Sequence, residues 1–144
     1  MNDFEVLSKQ LIRDEGEIPH AYQDSLGFWT IGVGRLIDKR KGGGLTHEEN
    51  MYLLKNDIIK HTKAVVDKLP WADHNVIGGV RFSALINMHF QLGDNLWGFK
   101  NTLRLMEEGR WEEAASAMLE SLWARQTPAR ARRISQQIKT NEWK

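Results

Sequence analysis

The sequence predicts an α+β fold, mostly helical, in which a small β-hairpin lobe is joined by a long helix to a helical lobe. Three observations predict it. Apolar residues recur at helical spacing through most of the chain. Residues 21–34 alone switch to short runs around a turn. A capping signal at Thr46 opens an apolar stripe that continues to Pro70. The expected boundaries are a hairpin lobe at about 14–45, a connecting helix at about 46–69, and a helical lobe at about 70–144 that includes an N-terminal helix, 2–13.

The elements follow in order. Asn2-Asp3-Phe4-Glu5 reads as an N-cap with an acidic residue three places on, and Phe4, Leu7, Leu11 and Ile12 form the helical stripe that Gly16 ends. This helix delivers Asp14 and Glu15 at its C-terminal end, where negative charge opposes the helix dipole. Residues 21–24 and 28–34 read as two short strands around Ser25-Leu26-Gly27, after a turn at 17–20 containing Pro19. Glycines at 32 and 34 mark a close approach of another backbone or a ligand. Lys39-Arg40-Lys41-Gly42-Gly43-Gly44 is a loop. Thr46-His47-Glu48-Glu49 is a capping box, and Met51, Leu54, Ile58, Val65 and Leu69 mark the long helix, which at twenty-odd residues spans about 30 Å. Further helices are expected at 76–92, 102–108 and 111–122, and Thr127-Pro128 opens a basic last helix as N-cap and N1.

Composition narrows the function. With no Cys, disulfides, thiolate metal sites and a Cys nucleophile are excluded. The five His are scattered without a metal-ligand spacing, so no metal and no cofactor are expected. No apolar run is long enough to span a bilayer, and Met1-Asn2-Asp3-Phe4-Glu5 lacks the basic and apolar regions of a secretory signal, so the expected location is cytoplasmic until something releases the protein. Residues 1–120 carry 14 basic and 18 acidic side chains, residues 121–144 carry 6 and 1. The basic end fits either a polyanionic partner, nucleic acid or a cell-wall polymer, or a solvated helix face.

Glycoside hydrolysis needs a protonated carboxyl for the leaving oxygen and a second carboxylate across the sugar. Glu15 follows a helix and Asp24 lies at the tip of the first strand nine residues later, with Thr30 on the paired strand where its hydroxyl can face Asp24 and hold a water. By spacing alone such a pair is common among solvated surface charges.

The blocks around these residues are far more specific. Asp14-Glu15-Gly16, Tyr22-x-Asp24 and Gly27-Phe28-Trp29-Thr30-Ile31-Gly32-Val33-Gly34 are followed by Leu45-Thr46-x-x-Glu49 and Ala84-Leu85-Ile86-Asn87-Met88-x-Phe90-Gln91-x-Gly93. Gly98-Phe99-x-Asn101-Thr102-Leu103-Arg104, Arg110-Trp111-x-Glu113-Ala114-Ala115 and Trp123-x-x-Gln126-Thr127-Pro128-x-Arg130-Ala131-x-Arg133 complete the series. In this order they resemble the T-even-type phage lysozymes, glycoside hydrolase family 24. The resemblance implies a lysozyme-like two-lobe fold and an endolysin that hydrolyses β-1,4 bonds between N-acetylmuramic acid and N-acetylglucosamine by an inverting mechanism, causing host lysis. It implies Glu15 as general acid, Asp24 as second carboxylate, Thr30 as the residue positioning water, and Arg130 as a supporting neighbour of Glu15. A buried or negative setting favours a protonated donor, and a nearby cation opposes it. It further implies Leu36, Phe90 and Thr102 as sugar contacts, although an aromatic at helical spacing such as Phe90 is more often core, and Thr102 suits an N-cap. Ala117 stands where the family has a polar contact.

A second departure is Arg35, in place of the family's His after Gly-x-Gly. Asp57 matches that His's acidic partner, so an Arg35–Asp57 ion pair is expected. The implied partners are peptidoglycan as substrate and a holin for release from the host cytoplasm to the cell wall, with no nucleic acid, no stable membrane insertion and a monomeric chain. Two other readings compete: a lysozyme domain of a phage tail, and a non-catalytic wall or nucleic-acid binder using Arg130, Arg132 and Arg133. A binder has no use for Glu15, Asp24 and Thr30 together, and no nucleic-acid motif is present.

Overall fold

The computed structural model describes residues 1–144, which divide into two units, Met1–Tyr52 and Leu53–Lys144. The α+β expectation holds: eight α-helices accompany one three-stranded antiparallel sheet.

In the first unit, α1 (Asp3–Glu15) starts at the expected cap. The Asn2 side chain accepts from Glu5 N at 2.9 Å, and the Glu5 carboxylate accepts from Asn2 N at 3.0 Å. The helix stops at Gly16, whose φ of 80° redirects the chain. The sheet runs β1 (Ile18–Gln23), β2 (Trp29–Gly32) and β3 (Arg35–Leu36), in that order across the sheet. Tyr22 pairs with Thr30, Gln23 with Trp29, and Thr30 with Leu36.

Two strand boundaries differ from expectation. The segment read as a turn at 17–20 is mostly strand: Pro19 lies on an edge strand, where proline is tolerated, within a bulge between Ile18 and Tyr22. The second strand ends at Gly32 instead of 34. Gly32 and Gly34 take φ of 69° and 64°, which turns the chain back as β3.

After β3 comes a single 3-10 turn, Lys39–Lys41, and then α2 (His47–Lys68), which carries the chain into the second unit. Its capping box forms as read: Thr46 N donates to Glu49 and Glu49 N to Thr46 Oγ1. The N-terminal helix, grouped with the helical lobe on sequence, falls in Met1–Tyr52. That unit has almost no interior. Its only buried residues are Thr30 and Asp38, and no residue of α1 is buried.

The second unit holds the apolar core. It contains the rest of α2, then α3 (His74–Ile77), α4 (Gly79–Leu92), a 3-10 segment Gly93–Gly98, α5 (Lys100–Glu107), α6 (Trp111–Met118), α7 (Leu122–Gln126) and α8 (Pro128–Thr140). Leu85, Met88, Leu96, Met118 and Ile138 are fully enclosed there. The helix expected at 76–92 is broken at Gly78, where φ is 83° and Asp73 caps the short segment before it. The helix expected at 111–122 ends at Met118, because Ser121 caps a new one through Ala124 N. Thr127 precedes α8 as expected, but its hydroxyl donates back to Trp123 O, so Pro128 opens the helix without a side-chain cap.

Candidate active site

Glu15 is the last residue of α1, exposed, and without a hydrogen-bond or ion-pair partner. The nearest cation in sequence, Arg13, is taken up by Asp14 at 2.8 Å. The Glu15 carboxyl lies over the backbone of Gly34: a Cβ built on that glycine would sit 3.0 Å from Oε2 and 3.2 Å from Cδ. The helix end and the turn closing β2 therefore meet at this carboxyl.

Asp24 lies one residue beyond β1, half-buried in the turn that leads to β2. Its Oδ1 accepts from Leu26 N and Phe28 N, each at 2.9 Å, while its backbone N donates to Phe28 O at 2.8 Å. Oδ2 has no partner within the protein. An aspartate tied by one oxygen is oriented by the turn and keeps the other oxygen for a ligand. Thr30 is buried and faces Tyr22 across the ladder. Its hydroxyl donates to Phe28 O at 3.2 Å, so its lone pairs remain to accept from water. Gly34 beside Glu15, Thr30 within β2, and Phe28 beside Asp24 follow one another along a single stretch of chain, so the three side chains are distributed along β2 and its two flanks.

The other expected residues fall into separate groups. Leu36, half-buried in β3, pairs with Thr30 and belongs with it. Phe90 is 41% exposed on α4, which sets aside its core alternative. It lines a cavity of about 400 Å³ with Leu54, Ile58, Ile86, Asn87, Arg130 and Trp143. Arg130 is held there by Asn87, whose Oδ1 accepts from Nε at 3.1 Å and Nη2 at 2.8 Å. Thr102 is buried in the first turn of α5, which begins at Lys100, so it is not a cap. With Ala117 it lines a different hollow of about 450 Å³.

The ion pair expected for Arg35 is corrected. Its guanidinium bonds the Glu49 carboxylate at 2.5 Å. Glu49 is already oriented by the capping box of α2, and the Thr46 amide, then Arg35, hold its carboxyl below the usual value. A pre-oriented acid close in the chain captures the arginine.

Two clusters escaped the sequence reading. Asp38, 4% exposed, gathers Trp29 N and the Arg40 side chain, and His61 Nδ1 meets His89 Nδ1 at 2.7 Å. The first left one faint sign, an acid and a base two residues apart after a strand. The second left none.

This chain matches the phage lysozyme family over residues 13–136, a span containing Glu15, Asp24, Thr30 and Arg130. It is 32% identical over 152 aligned residues to a probable T4-type lysozyme of Dictyostelium discoideum, covering 88% of this chain and 89% of that one. It is 31% identical to the endolysin of Salmonella phage P22, covering 79% of this chain and 77% of the endolysin. It is also 30% identical to the pre-baseplate central spike protein of Enterobacteria phage T4, covering 93% of this chain but 28% of the spike protein. The chain belongs to the phage lysozyme family. It is a lysozyme-type hydrolase of peptidoglycan.

Proposed function

We propose that Glu15 and Asp24 are the two carboxylates of this hydrolase and that the bond cut is the β-1,4 link from N-acetylmuramic acid to N-acetylglucosamine. Glu15 gives its proton to the glycosidic oxygen as the bond to the anomeric carbon breaks. Water adds to that carbon from the other face, and Asp24, through the unpartnered Oδ2, accepts the proton water loses or stabilises the positive charge developing on the sugar. Thr30 accepts a hydrogen bond from that water. The anomeric configuration is inverted. The observation that carries the reading is the divided Asp24 carboxylate, one oxygen anchored by two amides and the other free. Leu36, Phe90 and Thr102 are assigned as sugar contacts, and Arg130 as a support for the site.

The test is clearance of chloroform-treated Gram-negative cells, together with proton NMR of the first-formed product anomer on soluble glycan fragments. Wild type clears the cells and releases the α-anomer, and Glu15→Gln does neither. Equal clearance by Glu15→Gln overturns the assignment of the acid, and a β-anomer overturns inversion.

The proposed setting is a monomeric free endolysin, held in the host cytoplasm until a holin opens the membrane, with peptidoglycan as its partner and no nucleic acid. Likeness to a protein named as the endolysin of Salmonella phage P22 supports it. Likeness to the spike protein supports a second reading, a tail-borne lysozyme. Particle association separates them: a free endolysin stays in the lysate supernatant when virions are sedimented.

A further inference from the structure

Asp38 and Arg40 have no part in the chemistry above, yet they grip the turn that carries Asp24. Asp38 Oδ2 accepts from Trp29 N at 3.1 Å and from Arg40 Nη2 at 2.6 Å, and Oδ1 accepts from Arg40 N and Nε, each at 2.9 Å. The same Nη2 reaches Gly27 O at 2.9 Å. Arg40 Cζ lies 5.0 Å and Lys41 Nζ 4.7 Å from the centre of the Phe28 ring. Gly27, Phe28 and Trp29 are thus held consecutively: the first by its carbonyl, the second by its ring, the third by its amide. Phe28 also donates its amide to Asp24 Oδ1 and accepts from the Asp24 backbone N.

We propose that Asp38 and Arg40 are positioning residues for Asp24, fixing the 27–29 segment on which its carboxylate hangs. This rests on Asp24 being the second carboxylate. The turn's own bonds, Asp24 to Leu26, Gly27 and Phe28, are short-range, and the Gln23–Trp29 ladder pair with Ile37 N on Trp29 O fixes only its base. The bracket comes from beyond β3 and ties that turn to a buried anchor. Only a planar fork can bond both Asp38 oxygens and still meet Gly27 O, so lysine cannot replace Arg40. The Arg40 guanidinium and the Trp29 amide hold the Asp38 carboxyl well below the usual carboxylate range, so the anchor stays ionised from mildly acid to neutral pH. Displacing a reacting group by a fraction of an ångström lowers the rate of the chemical step and leaves distant substrate contacts in place.

The experiment measures kcat and KM on soluble glycan chains for Arg40→Met, Arg40→Lys and Asp24→Asn, with amide hydrogen exchange at Leu26 and Phe28. Both Arg40 variants are expected to lose kcat by about tenfold or more, to keep KM within about twofold, and to exchange faster at those two amides. Wild-type kcat in the Arg40 variants, whatever their unfolding midpoint, overturns the proposal, as does a kcat loss with unchanged exchange at those amides. Should Arg40→Met fail to fold, Arg40→Lys, which keeps the charge and the aliphatic stem, carries the test. Loss of activity in Asp24→Asn with wild-type kcat in the Arg40 variants removes the bracket and leaves the role of Asp24. Wild-type kcat in Asp24→Asn removes the role itself.

Discussion

Replacing Gly34 by alanine, beside the same change at Gly32, separates backbone strain from displacement of Glu15. Both glycines have positive φ, 64° and 69°, so a methyl group at either strains the backbone, by about 1–2 kcal/mol for an L-residue held in the left-handed region. The surroundings differ. At Gly32 an added Cβ meets nothing within 4 Å, whereas at Gly34 it meets Glu15 Oε2 at 3.0 Å, Cδ at 3.2 Å and Cγ at 3.3 Å. Those atoms end a flexible side chain, so the clash is relieved when Glu15 swings away by roughly half an ångström, at little further cost in stability. The two variants should therefore have similar urea midpoints. Their activities should part: a misplaced acid loses up to about a hundredfold per ångström, so Gly34→Ala should be on the order of tenfold slower than Gly32→Ala. Cell-clearance rates at matched enzyme concentration, with urea melts of both proteins, decide the matter. Equal activity in the two variants would refute both the contact and the placement of Glu15 as the acid.

Three further outcomes are expected. Asp24→Asn keeps an acceptor for Leu26 N and Phe28 N and should melt near wild type while losing activity, whereas Asp24→Ala also loses two turn bonds, about 1–3 kcal/mol; equal melts for the two variants would show that the turn does not need this side chain. Burial first, then the charges of His89 and Lys60 against that of Asp57, hold His61 below the usual imidazole value. As pH falls below about 6.5 the unfolded chain takes up this proton before the folded one, so stability declines toward acid, and His61→Gln should flatten the thermal midpoint between pH 5 and 7; an unchanged slope contradicts this. Arg132 and Arg133 are exposed and free of ion pairs, so Arg132→Gln/Arg133→Gln should weaken the salt dependence of cell clearance if they bind the anionic envelope, and unchanged dependence assigns them to solvent.

What could be read in the chain was what is decided locally. The capping boxes at Asn2 and Thr46 came out as read because each joins residues three apart. The two-lobe α+β character came from a change of period, which packing does not erase. Boundaries failed where a backbone angle took over: Gly32 and Gly34 end β2 early, Gly78 splits a helix whose apolar pattern runs on, and Ser121 restarts one. At the site, the ordered motifs singled out Glu15, Asp24 and Thr30, and the fold sets all three along the β1–β2 hairpin and its ends. Partnerships made when the chain returns were beyond reach. Arg35 was matched to Asp57 by motif, and its bond to Glu49, an acid the α2 capping box already orients, shows only in the folded chain. The grip of Asp38 and Arg40 on residues 27–29 exists only once β3 lies beside β2.

The uneven distribution of buried side chains bears on how such an enzyme wears out. All of the apolar core lies between Val65 and Ile138, while the segment carrying Glu15, Asp24 and Thr30 encloses only Thr30 and Asp38. Little apolar area is at stake there, so its hydrogen-bonded turns and three short strands can open in events that leave the helices of the second unit standing. Heat or mild denaturant will silence the enzyme while its circular dichroism still reports most of the helix. A melting curve then overstates working lifetime, and durability is to be sought in the hairpin, not in the core.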